Sequence, residues 1–231
     1  MTDQSTIVRL EGVEKIYRQG SLNVPALRGI DLAIEQGEFT AISGPSGSGK
    51  STTLNLIGAL DRPTAGRIFL EGRDLGALGR SALSRLRRDR IGFVFQAYNL
   101  IPVLTAYENA EIVLVLQGVG ARARRDKVMG LLAEVGLEGM EHRRPDQLSG
   151  GQQQRVAIAR AIASDPAVVL ADEPTANVDS ATADRLLAMM GDLNAKRGVT
   201  FVFSTHDPRV MERARRNIRL VDGRIDRDET A

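Results

Sequence analysis

The chain has 231 residues, of which 42% are hydrophobic and 26% charged, with a formal net charge of +2, 4% aromatics, no tryptophan and no cysteine. These values exclude disulfides and cysteine-ligated zinc, and so small a net charge with so few stacking side chains argues against a nucleic-acid-binding surface. The longest apolar run, residues 112–116, is far too short to span a bilayer, and residues 1–5 lack the basic and apolar segments of a signal peptide. The expectation is a protein of a reducing compartment that meets a membrane only through a partner.

In chain order, residues 6–43 read as β-rich, with strands over 7–13 and 31–34 and a turn at Gln36-Gly37 leading into an apolar strand over 39–43. Tyr17 falls between the first two strands, in a polar segment with Gly20 and Pro25 that predicts an irregular connection. After the third strand comes Gly44-Pro45-Ser46-Gly47-Ser48-Gly49-Lys50-Ser51-Thr52, which fits G-x-x-x-x-G-K-[ST], and then the opening of a helix over 53–58. A glycine-rich turn between a strand and a helix aims successive backbone N–H groups at one point, and the helix N-terminus adds its positive dipole end. Polyphosphate suits that nest, with Lys50 reaching the β/γ-phosphates and the Ser51 hydroxyl offered to Mg²⁺. The stretch predicts binding of a nucleoside triphosphate.

Residues 61–75, with Pro63, Gly66 and Gly72, predict a hairpin near a sheet edge. Residues 81–90 carry leucines among arginines and predict a short amphipathic helix, and residues 91–95 a buried strand with Gln96 at its end. From 104 to 148 the pattern becomes helical. Thr105 and Glu108 have the spacing of a capping box, and a second helix over 124–135 stops near Gly136. Helices over 152–164 and 180–194 then alternate with strands over 168–171 and 199–204, and a hairpin over 218–225 turns at Asp222-Gly223. This alternation predicts a parallel sheet with helices on its faces, interrupted by an all-helical insertion.

Asp172 and Glu173 end an apolar strand, the end of an open α/β sheet where ligands bind. After a phosphate loop, Asp172 is the expected Mg²⁺ holder and Glu173 the group that orients or deprotonates the attacking water; a pair of helix-capping acids is the plainer alternative. Leu148-Ser149-Gly150-Gly151-Gln152 opens another helix and offers a second cluster of N-terminal amides to an anion, or simply a loop capped by Ser149.

Taken together and in order, the Gly44–Ser51 loop, Gln96, residues 148–152, residues 168–173, the Ala176-Asn177-Val178-Asp179 loop and His206 closely resemble the ATPase subunits of ABC transporters, over essentially the whole chain. The resemblance implies an α/β fold: a P-loop NTPase cassette with a RecA-like mixed-sheet core, an N-terminal antiparallel β subdomain and an inserted all-α subdomain. Its implied boundaries are residues 6–96 and 152–231 for the core and 97–151 for the helical part. It also implies that Tyr17 stacks on adenine, that Gln96 touches Mg²⁺ and the water, that His206 contacts the γ-phosphate, and that Asp179 lies in a loop crossing a dimer interface. Ser149, Gly150, Gly151 and Gln152 would close over the ATP held by the P-loop of a second copy, making the active form a homodimer around two MgATP. The partners implied are that second copy and integral membrane permease subunits, with no nucleic acid, and the implied place is peripheral, on the cytoplasmic face of the inner membrane.

Within the family, residues 56–58, 60–64 and 95–102, with the P-loop itself, look like the lipoprotein-releasing and macrolide-export type. Thr53, Ala176, Val178 and Ile112-Val113 depart from its usual residues without removing a catalytic group. An ATP-switched regulator of a membrane partner that controls cell-wall enzymes would use the same cassette.

Overall fold

In the computed structural model, which describes residues 5–230, the alternating apolar pattern resolves into two sheets. The larger has the order β10-β9-β3-β8-β7-β6, built from β3 (Phe39–Ser43), β6 (Ile91–Val94), β7 (Val168–Asp172), β8 (Phe201–Ser204), β9 (Arg216–Val221) and β10 (Arg224–Thr230). Five of its strands are parallel, and β10 returns antiparallel on the edge.

The period-2 alternation of the central strands explains why this sheet is covered on both faces. Phe39, Ala41, Val169, Ala171, Phe201 and Phe203 face a core shared with α3 (Ala106–Leu116), α4 (Ala121–Glu134), α5 (Gly150–Ile162) and α6 (Ser180–Arg197). Ile42, Val168, Leu170 and Val202 face the other core, shared with α1 (Lys50–Ile57), α2 (Arg80–Arg90) and the smaller sheet. That sheet is antiparallel, ordered β2-β1-β4-β5, from β1 (Thr6–Gln19), β2 (Leu22–Glu35), β4 (Ala65–Leu70) and β5 (Arg73–Asp74). Helices α3 and α4 leave the α/β alternation after β6 and return to it at α5, which is the helical insertion.

Several boundaries differ from those read in the sequence. Tyr17 lies inside β1, paired with Val24, rather than in an irregular connection. The β1–β2 hairpin extends past the core, so both faces of its far end are solvated and its composition carries no apolar alternation. Pro25 is tolerated because β2 is an edge strand. Helix α4 begins three residues before the expected 124, α5 begins at Gly150, and α6 runs on to Arg197 before Gly198 closes it in the left-handed conformation, φ 65°. A short helix, α7 (Pro208–Arg213), has no counterpart in the sequence reading, although Asp207-Pro208 is a helix-start signal: Asp207 caps it and Pro208 occupies its first turn.

Candidate active site

Every residue of β3 is buried, and the chain leaves it through Gly44 at φ 142°. A methyl group on Gly44 would stand 2.1 Å from the Leu220 carbonyl oxygen of β9, so only glycine lets the loop start this close to the sheet. Gly49, at φ 105°, is the N-cap of α1 and brings no capping side chain. The first-turn N–H groups, which have no intrahelical acceptor, are thereby left for an anion. Lys50 is 8% exposed and donates to the carbonyls of Gly44 (2.8 Å) and Pro45 (2.9 Å), within the loop it would share with a phosphate. The Ser48 hydroxyl is buried in the same loop with no partner.

The carboxylates arrive from the adjoining strands. Asp172 closes β7, and its Oδ1 accepts a hydrogen bond from the Ser51 hydroxyl at 3.0 Å. Glu173 follows with φ 46°, a left-handed conformation that costs a non-glycine residue on the order of 1–3 kcal/mol. Its amide donates to the Ser204 carbonyl, and its carboxylate lies 2.6 Å from His206 Nδ1 and accepts from the Thr205 hydroxyl at 3.3 Å. Asp207, next along, accepts from the Thr175 hydroxyl at 3.0 Å, so the two strand-exit turns are pinned to each other. Hydrogen bonds from Arg209 hold the Asp207 carboxyl below the usual carboxylate range, against a smaller opposing effect of burial.

Gln96 leaves β6 and is held by Asn177: its carbonyl accepts from Asn177 Nδ2 at 2.9 Å, and its own amide donates to Asn177 Oδ1 at 3.4 Å. Tyr17 donates to Asp61 at 3.0 Å, and the Lys15 ammonium lies 4.8 Å from the ring centroid. Burial raises the Tyr17 phenol above its ordinary range. Burial alone would raise Asp61, but hydrogen bonds from Lys15 and the Arg62 amide carry it below its ordinary range.

Ser149 caps α5 in a capping box with Gln152. Methyl groups on Gly150 and Gly151 would stand 2.7 Å from the Tyr98 hydroxyl and 2.4 Å from Thr182 Cγ2. The turn is therefore packed against the segment after Gln96 and the first turn of α6, which Asp179 caps through Thr182. Among the described residues, no hydrogen bond joins residues 149–152 to the loop of residues 44–52. The donor set fits a magnesium–triphosphate: a hydroxyl and one carboxylate together, beside uncapped helix amides, is how Mg²⁺ is held when phosphates supply the remaining oxygens. No cluster of three or more acidic or histidine side chains suited to a metal alone occurs among the described residues.

Residues 27–176 match the ABC transporter family. The chain belongs to that family. It is 52% identical over 219 residues to the lipoprotein-releasing system ATP-binding protein LolD of Anaeromyxobacter dehalogenans, covering 94% of this chain and 92% of the relative. It is 47% identical over 225 residues to the macrolide export ATP-binding/permease protein MacB of Marinobacter nauticus, covering 97% of this chain but only 35% of that longer relative. The fold matches MJ0796, an ATP-binding cassette of Methanocaldococcus jannaschii solved as a dimer in a post-hydrolysis state bound to ADP and Pi. The TM-score is 0.89 at 45% identity, over 97% of this chain and 98% of that one.

In this ABC cassette the residues singled out in the sequence fall into two groups. Gly44–Thr52, Asp172, Glu173 and His206 converge at the C-terminal ends of β3, β7 and β8, with Gln96 at the end of neighbouring β6 and Tyr17 at the flank. Ser149–Gln152 and Asp179 form the second group, held to each other through Thr182 and Tyr98. Three contributors have no individual role in the sequence reading. Asn177 fastens the Gln96 segment. Fully buried Asn109 donates to the carbonyls of Ile101, Leu104 and Thr105 and accepts from the Ile101 amide. Arg160 reaches the same segment from α5, and an arginine inside the otherwise apolar run 156–162 is the signal that could have found it.

Proposed function

We propose that the chain is the ATP-binding and ATP-hydrolysing subunit of an ABC transporter of the lipoprotein-release or macrolide-export type, working as a homodimer on the cytoplasmic face of the inner membrane. The observation that carries this is the meeting of Ser51 with Asp172 at 3.0 Å beside the Glu173–His206 contact at 2.6 Å. That arrangement supports reading the loop as a phosphate nest, Ser51 and Asp172 as a metal-holding pair and Glu173 as a general base, at the C-terminal ends of neighbouring central strands. The relatives named for lipoprotein release and macrolide export support transport over a purely regulatory clamp.

In this reading the amides of residues 46–52 and the Lys50 ammonium bind the β- and γ-phosphates, and the Tyr17 ring stacks on the base. Ser51, Asp172 and Gln96 would hold Mg²⁺, whose charge would offset that on the phosphate oxygens. Glu173 accepts the proton of the attacking water, which carries its oxygen to the γ-phosphorus as the bond to the β-phosphate oxygen breaks, giving ADP and phosphate. His206 donates to the γ-phosphate and keeps Glu173 aimed at the water. Ser149, Gly150, Gly151 and Gln152 of one copy cover the nucleotide of the other, and Asp179 lines the crossing between copies. The core comprises residues 6–96 and 152–231, and the helical part, residues 97–151, receives the membrane subunits near Tyr98–Asn109.

The test is MgATP binding and steady-state turnover in purified variants. Glu173→Gln is expected to bind MgATP normally and lose turnover by about 10²-fold or more, whereas Lys50→Ala is expected to lose binding. A Glu173→Gln variant with wild-type turnover would remove this assignment.

A further inference from the structure

Helix α5 begins at the Ser149 turn, and near its far end it reaches the loop that follows Gln96. The approach is possible because β6 carries Gly92, where a side chain would stand 2.4 Å from the Ala161 carbonyl. Arg160, on the preceding residue of α5, is partly buried, and no carboxylate lies within ion-pair distance of it among the described residues. Its guanidinium is spent on two backbone carbonyls instead: Nη1 donates to Asn99 O at 2.6 Å and Nη2 to Tyr98 O at 2.9 Å. A cation withdrawn from water without a counter-charge is costly, so such a residue calls for an explanation beyond packing. Burial accordingly pulls the Arg160 guanidinium down from its usual range.

The two carbonyls it grips belong to consecutive non-glycine residues in the left-handed region, Tyr98 at φ 59° and Asn99 at φ 49°. Each costs on the order of 1–3 kcal/mol unless its surroundings hold it. With the backbone so turned, the Tyr98 hydroxyl donates to Asn177 O at 3.0 Å and lies against Gly150. Asn177 in turn fastens both ends of the Gln96 residue, its carbonyl and its side-chain amide.

We propose that Arg160 is a positioning residue for Gln96: by clamping the Tyr98–Asn99 turn it sets Tyr98 against Asn177, and through Asn177 it fixes where the Gln96 amide points. This rests on the assignment of Gln96 to the metal and water given above.

The test uses the full-length dimer with Gln96→Ala, Arg160→Lys, Arg160→Met and Tyr98→Phe. Hydrogen exchange of the nucleotide-free protein is read over residues 95–101, together with MgATP binding and the separate KM and kcat. Arg160→Lys keeps the charge but replaces the planar fork, in which Nη1 and Nη2 each reach one carbonyl, with a single nitrogen on a shorter side chain, and Arg160→Met keeps the bulk alone. Both are expected to raise exchange in that segment about tenfold and lower kcat about tenfold, with MgATP binding and KM within about twofold of wild type. Tyr98→Phe is expected to lose a smaller part of kcat and to add nothing in the Arg160→Met background, because the two act in one chain of contacts. Unchanged exchange over residues 95–101, or an Arg160→Met kcat within twofold of wild type, overturns the proposal. Loss of MgATP binding in both Arg160 variants overturns it in favour of a general folding role. If Gln96→Ala itself retains kcat, the assignment of Gln96 fails and this inference with it; if only the Gln96 variant is impaired, the inference alone fails.

Discussion

Asp207 shows how one side chain can serve the site without touching substrate. Its carboxylate caps α7 at the Arg209 amide, pairs with the Arg209 guanidinium at 2.8 Å and accepts from Thr175, joining the turn after Glu173 to the turn that carries His206. Because its folded-state pKa lies below the unfolded value, the stability it contributes is complete above the ordinary carboxylate pKa of about 3.9 and is lost as pH falls through the lower folded value. Asp207→Asn keeps the cap, since asparagine serves there as well, but discards the charge pair. Urea denaturation should therefore find the variant less stable than wild type at pH 7, with the difference shrinking as pH falls below about 4. A difference that stays constant down to pH 3 would mean that the Arg209 pair contributes nothing to stability.

Among the elements, α3 offers the plainest dissection. Thr105 and Glu108 satisfy each other's backbone N–H groups in a reciprocal capping box, and Asn109 ties the preceding loop to the same helix start. Thr105→Ala should cost on the order of 1 kcal/mol, a drop in Tm of about 2–4 °C for a domain of this size, with turnover nearly unchanged because the box lies outside the phosphate site. A Tm within a degree of wild type would show that Asn109 alone holds the helix start. The capping box was legible in the sequence because it depends on a local spacing, and the same holds for the glycine loop, the strand ends at Asp172 and Ser204, and the Asp222-Gly223 turn. Features that depend on distant chain escaped. The β1–β2 hairpin continues through Tyr17 because strand pairing rewards it, not because its residues alternate. Arg160 and Asn177 gain their partners across 61 and 81 residues of chain. The short α7 was missed because six residues carry too little periodicity to register.

At the scale of the whole molecule, the contacts sort the candidate site residues into two groups. Ser51 of the phosphate loop bonds Asp172, and Glu173 contacts His206, at the C-terminal ends of the central strands, while the Ser149 turn packs on Thr182 and Tyr98. The uncapped amides at the start of α1 and the Ser149-capped start of α5 share no hydrogen bond among the described residues, and in the proposed isologous dimer the P-loop of each copy would lie opposite the Ser149 turn of the other. The membrane enters only through a partner in this account, and no helix among the described residues is long and apolar enough to cross one. Mixing two inactive variants tests the shared site most directly. Lys50→Ala spoils the phosphate loop and leaves the Ser149 turn intact; Ser149→Arg does the reverse and should still bind MgATP. Each alone should be inactive, and an equimolar mixture should regain about a quarter of wild-type turnover, since random pairing makes about half the dimers mixed and each mixed dimer has one complete site of two. A mixture as inactive as its components, or full turnover in Ser149→Arg alone, would contradict the account.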